Sequence, residues 1–210
     1  MTPLVVAFAL GGAAWGLVSD RIAARWPAHE DGTTRGFDWR TAAVVLVAGA
    51  ASGALAARMT DPRDLALFGA WFAALTLLLA TDLDQRLLPD VITLPLIPIA
   101  AVVMLAGLDP LVHGTEGLAV VAAVAIPAAL FALSIPFGSG ALGLGDVKLL
   151  VSVGLILGLA RALVGVVAGA MLGGVVILAL LVARRVTLKS YVPFGPFLII
   201  GAMWGALVVL

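Results

Sequence analysis

Thr81-Asp-Leu-Asp-Gln-Arg-Leu-Leu-Pro-Asp-Val-Ile-Thr-Leu-Pro-Leu96 lies between two long apolar runs and places Asp82, Asp84 and Asp90 within nine residues. Acids are sparse elsewhere, with 12 Asp and Glu in 210 residues. Another, Asp146, stands in Gly143-Leu-Gly-Asp-Val-Lys148, again directly against an apolar run. Ionisable groups at the boundary of an apolar span are costly, so their presence points to function.

The runs on either side set the fold class. The chain is 63% hydrophobic and 11% charged, with a mean hydropathy of +1.20. A soluble domain is nearer half apolar and a quarter charged. Apolar runs fall at about 2–19, 41–58, 65–81, 91–107, 117–136, 147–160, 162–183 and 193–210, and a span needs about 20 such residues. An open strand cannot satisfy its backbone in lipid, so the runs are read as helices. The expectation is an all-α, polytopic membrane bundle of about eight transmembrane helices. The sixth run is short for a span, and it begins at Asp146.

The lipid bilayer is the partner this composition demands. A net charge of zero and the lack of a basic patch give no sign of nucleic-acid binding. The absence of cysteine excludes disulfides, thiolate zinc sites and cysteine nucleophiles. The opening Met-Thr-Pro-Leu lacks the positive segment of a cleaved signal, so the first run is read as a retained span.

Lys and Arg orient the bundle. With the N-terminus outside, Arg21, Arg25, Arg35, Arg40, Arg86, Lys148, Arg184, Arg185 and Lys189 fall inside, and Arg58, Arg63 and Arg161 outside. The loop 109–116 carries no Lys or Arg, which suits the outside. Asp82 then ends the third span, and Asp146 starts the sixth, on one cytoplasmic side. Two carboxylates at one depth can face each other and share a proton. One can take a proton from water while the other protonates the leaving group. That chemistry needs no metal or cofactor.

The neighbouring residues have plainer readings. Asp146 precedes an apolar run, and Asp caps helices well. Gly143 and Gly145 add tight turning and close approach of a substrate strand. Asp90, after Pro89, is read as the cap of the fourth helix. Asp84 either tunes Asp82 or is solvated, and Lys148 is read as a solvated lysine of the inner face. His29 and His113 fall in loops on opposite sides, so no shared metal site is expected. Gly154-x-x-x-Gly158 and Gly165-x-x-x-Gly169-x-x-x-Gly173 are small-residue faces for close helix packing. Pro193-Phe-Gly-Pro196 opens the last run as a rigid turn.

Three segments in order carry a resemblance. Asp82-x-Asp-x-x-x-Leu-Leu-Pro-Asp-x-x-Thr-Leu-Pro-Leu96, Gly143-x-Gly-Asp-Val-Lys148 and Pro193-Phe-Gly-Pro-Phe-Leu198 are similar to the type IV prepilin peptidase family, membrane aspartic proteases of the Gly-x-Gly-Asp type. The resemblance runs from the third span to the end. It implies an Asp82/Asp146 catalytic pair, with Gly143, Gly145, Asp84, Pro89, Asp90 and Lys148 in support. It also implies removal of prepilin or pseudopilin leaders, just before the pilin's hydrophobic helix, at the inner face of the cytoplasmic membrane. Bacterial members often carry a cytoplasmic domain after the first span, with paired Cys-x-x-Cys motifs and N-methyltransferase activity. Gly16–Pro27 resembles the approach to that domain, with Gly16-Leu-Val-Ser-Asp20 altered from the family's opening. Only a short loop follows. Residues 1–210 are therefore read as a single peptidase domain, with 20–40 a cytoplasmic loop in place of the methyltransferase domain.

Three other readings compete. A proton- or cation-coupled transport or binding protein should carry several acids at mid-membrane and broken helices in related halves; here the acids cluster at one face. A metal-dependent phosphotransferase using Asp82, Asp84 and Asp90 would leave Gly143–Asp146 unused. An inactive assembly factor would have no need of both acids.

Overall fold

The computed structural model describes residues 2–28, 32–137, 142–185, 187 and 193–208. His29, Glu30, Asp31 and Lys189, on which part of the loop and charge readings fell, lie outside them. The described residues form helices α1 (Pro3–Ala23), α2 (Trp39–Arg58), α3 (Pro62–Gln85), α4 (Asp90–Leu105), α5 (Glu116–Ser134), α6 (Leu144–Val182) and α7 (Gly195–Leu207), with a 3₁₀ turn at Ile135–Phe137. Five of these are long and apolar enough to cross a membrane, while α4 and α7 are shorter. The chain is an all-α, multi-pass membrane protein. The expected count of about eight spans is not confirmed.

Two of the runs form the shorter α4 and α7, and two others are merged in α6. The sixth and seventh apolar runs are joined in one 39-residue stretch that breaks at Gly158, where φ is 67° and ψ −179°. The stretch folds back on itself there. Gly154 packs against the backbone of α5 at Ala123, whereas Gly165 and Gly169 lie against the backbone of α7 at Gly201 and Phe197. Gly154, Gly165 and Gly169 of the two small-residue faces read from the sequence thus serve helix contacts, where a side chain would strike a neighbouring backbone, whereas Gly158, read as part of the first face, is the break itself.

α3 is the innermost helix. Phe68, Trp71, Phe72, Leu75, Leu78 and Leu79 repeat at helical spacing and are buried, and α1, α2 and α7 pack around them. Asp61 caps its start, accepting from the Arg63 amide at 2.8 Å, with Pro62 at the first helical position. The apolar run suggested an end near residue 81; the helix continues through Gln85 and stops at Arg86, which is left-handed with φ 56°. Asp82 and Asp84 are therefore both helical. Large apolar side chains such as Leu10, Leu46, Leu105, Val124, Met171 and Val182 stay exposed, as expected where the solvent is lipid.

The bundle has two chemically distinct ends. Asp20, Arg35, Asp84, Asp90 and Lys148 gather at one, through ion pairs that join α1, α3, α4 and α6. At the other, Arg58 donates to the Leu207 carbonyl at 2.9 Å and Arg161 to that of Val208.

Candidate active site

Three helix ends converge at the acidic end. Asp82 lies in the last turn of α3 and is buried. Asp146 lies in the first turn of α6; Gly143 holds the cap position, and its amide donates to Asp146 Oδ2 at 3.4 Å. Gly195 opens α7 between the two acids. A Cβ built there would strike Asp82 Oδ2 and sit 3.0 Å from Asp146 Oδ1. The carboxylates therefore converge on a point that only glycine leaves free. Asp82 Oδ2 is buried without a hydrogen-bond partner. A buried carboxylate oxygen left without a bond is rare in folded proteins, and this one points at the meeting place of the two acids.

The surroundings complete a cleft. A cavity of about 700 Å³ is lined by Asp82, Arg86, Gly143, Asp146, Phe194 and Gly195, with Trp26 and Pro27 on the α1 side. Gly145 lets the start of α6 sit against Leu88; its Cβ would come 2.9 Å from the Leu88 Cβ. Pro89, with φ −62° and ψ 129°, holds the cap position of α4.

Two neighbours depart from the sequence reading, and for a third one of two alternatives falls. Asp90 does not cap α4 but is its first helical residue, one position past Pro89. Its carboxylate accepts from Lys148 Nζ at 2.7 Å, so Lys148 is paired across the cleft rather than solvated. Such a part-exposed pair is worth at most about 1 kcal/mol, but it ties the start of α4 to that of α6. Asp84 is not solvated either: its side chain is 1% exposed and bonds to Arg35 and Arg40. Asp82, Asp84 and Asp90 thus point to different partners and do not form one ligand set.

A second polar cluster flanks the first. Asp20, at the end of α1, is buried and holds Arg21, Arg35 and Thr41, with Thr41 Oγ1 donating at 2.8 Å. Burial would push the Arg35 guanidinium down, but hydrogen bonds and charge pairing with Asp20 and Asp84 hold it above the usual arginine range. Gln85 Nε2 donates to the Pro27 carbonyl at 2.7 Å. The loop between α1 and α2 is therefore fastened to the last turn of α3. The sequence reading missed this cluster and the place of Gly195. The available signals were an Asp at a helix end followed by an arginine-rich loop, and a glycine set between two prolines.

The stretch that carries Asp82 and Asp146 also carries a likeness to known proteins. Residues 67–179 match the sequence profile of the type IV leader peptidase family. Two curated relatives, each a "Prepilin leader peptidase/N-methyltransferase", one from Aeromonas salmonicida strain A449 and one from Aeromonas salmonicida, are 34% identical over 133 residues. Those residues are 59% of this chain and 44% of the relative in each case, so the match spans less than half of the relatives' length. No solved structure matches.

Proposed function

This chain belongs to the type IV leader peptidase family, and from that premise we propose that it is a membrane aspartic endopeptidase that removes the leader of a type IV prepilin or pseudopilin. Asp82 and Asp146 are the catalytic pair. One carboxylate takes a proton from water as the water oxygen adds to the scissile carbonyl carbon. The other gives a proton to the amine as the C–N bond breaks, so no net proton is consumed. The supporting observation is the convergence of both carboxylates on Gly195 at the wall of one cavity. Pairing of Asp84 and Asp90 with basic residues leaves Asp82 and Asp146 as the acids turned toward each other. The cleft faces the cytoplasm in the cytoplasmic membrane, where the substrate's hydrophobic helix can lie in the bilayer beside the exposed apolar flanks. The connection between α1 and α2, shorter than the loop read at 20–40 because both helices extend into it, stands where the methyltransferase domain would be, and the activity assigned here is cleavage without methylation.

Co-expression with a candidate prepilin tests this. Asp82→Asn and Asp146→Asn should each abolish leader removal while the protein still accumulates in the membrane, because an amide cannot relay the proton. General acid–base help is worth about 10²–10⁴-fold, and members of a unit are not additive. Asp90→Asn should be mild and Asp84→Asn intermediate. Activity should survive chelators. Mass spectrometry of the product made with S-adenosylmethionine present should find a free amine. Leader removal by Asp82→Asn, with loss in Asp84→Asn or Asp90→Asn, would move the first catalytic acid elsewhere.

A further inference from the structure

Two buried carboxylates lie just outside the cleft, where the acid pair itself does not need them. Asp20 lies in the last turn of α1 and is fully buried, and the Asp84 side chain is 1% exposed. Isolated buried carboxylates are costly unless paired and hydrogen-bonded. One guanidinium serves both. Arg35 donates from Nη2 to Asp20 Oδ1 and from Nε to Asp84 Oδ1, and from Nη1 to Asp38 Oδ1 at 2.7 Å. The loop that carries Arg35 is fixed in turn, since Arg21 donates to the carbonyls of Arg35 at 3.4 Å and Gly36 at 3.1 Å. Arg40 adds a 3.1 Å bond to Asp84.

Asp84 is two residues beyond Asp82 on the same helical turn. That turn is the last of α3, and only residues 87–89 separate Arg86 from α4. Whatever holds Asp84 therefore sets the height and rotation of Asp82.

We propose that Arg35 is a positioning residue for the acid pair, a clamp that fixes the last turn of α3 to the end of α1 and so holds Asp82 against Asp146 and Gly195. This rests on the reading of Asp82 and Asp146 as catalytic. The geometry calls for arginine. A planar fork with five donors bridges two carboxylates in fixed directions, whereas the lysine ammonium is a point charge on a flexible stem. A misplacement of about 1 Å at a catalytic centre can cost on the order of 100-fold in rate.

The test compares the full-length wild type with Arg35→Lys and with the double variant Arg35→Gln/Asp84→Asn, purified in detergent and assayed on one prepilin over a range of concentrations. Arg35→Lys keeps the charge, and the double variant leaves no unpaired buried charge at Asp84. Each should run as a monodisperse helical protein. Each should show kcat lowered about tenfold or more with KM within about twofold of the wild type. Wild-type kcat in either folded variant overturns the proposal. So does a raised KM at unchanged kcat, which would make the loop a substrate contact. Failure of both variants to fold would make Arg35 a folding element and equally end the proposal. Asp82→Asn in the same assay separates the two levels. If it is inactive while Arg35→Lys is normal, the positioning role alone falls. If it is active, the catalytic assignment falls first.

Discussion

At the level of single residues, the proposed site rests as much on a missing side chain as on the two acids. Gly195 packs where Asp82 and Asp146 meet, so Gly195→Ala places a methyl group against both. We predict roughly 10–100-fold slower cleavage with the protein still folded, measured on the same prepilin; undiminished activity would show that the carboxylates do not work from this arrangement. The acids at 82 and 146 were legible because each stands at the border of an apolar run. Gly195 was not, because a glycine between prolines reads equally well as a turn. Asp109, in the loop after α4, was legible only as a loop residue. Burial pushes its carboxyl up to about 6, the Leu111 amide and Arg161 opposing and Asp64 adding. Its Oδ1 accepts from that amide at 2.8 Å while Oδ2 has no partner. The unfolded value is about 3.9, so the folded state holds the proton more tightly. Its contribution to stability is thus full below about pH 4 and lost as pH rises through about 6. Asn can still accept from Leu111, so Asp109→Asn should melt higher than the wild type at pH 7.5, by on the order of 2 kcal/mol, and equally at pH 4. The same difference at both values would mean that Asp109 does not titrate there.

At the level of helices, hydropathy located the runs but not their joints. The sixth and seventh runs differ from one long helix only at Gly158, and composition does not reveal a backbone with φ 67° and ψ −179°. That region is essentially restricted to glycine, and other residues held there cost about 1–3 kcal/mol. The Cβ itself would be 3.2 Å from Val112 Cγ1. We predict that Gly158→Ala loses about 1–3 kcal/mol in thermal or denaturant unfolding, with the folded fraction still active because the break is at the end away from the cleft. Gly11→Ala is the control, since a Cβ there meets nothing within 4 Å. Equal stability of the two variants would mean that the break at Gly158 relaxes at no cost. The length of α3 was hidden for a related reason. Asp82 and Asp84 end the apolar run, yet the helix runs on to Gln85 because the acids are received by partners from other elements: Arg35 and Arg40 bond Asp84, and Gly195 makes room for Asp82.

For the molecule as a whole, charge and contact place the same groups at the same ends. Arg21, Arg35, Arg40 and Lys148 lie with the acids of the cleft, paired to Asp20, Asp84 and Asp90. Arg58 and Arg161 lie at the opposite end, bound to the carbonyls of Leu207 and Val208. Gly158 also approaches Val112 there, so the loop after α4 belongs to that end. Cationic loops are retained on the cytoplasmic side, and the sequence reading puts nine of the 12 Lys and Arg inside when the N-terminus is outside. Arg58 and Arg161 weigh less against this orientation than their charge suggests, because each is tied to a carbonyl at a helix end. We therefore predict that reporter fusions after Arg40, Asp90 and Lys189 give a cytoplasmic signal and that one after Asp109 gives an external signal. A cytoplasmic signal at Asp109 would turn the molecule over and set the cleft on the side of the membrane opposite to the one proposed. An external signal at Asp90 alone would separate Asp82 from Asp146 across the bilayer, which their shared approach to Gly195 does not allow, so that outcome would count against the fold itself.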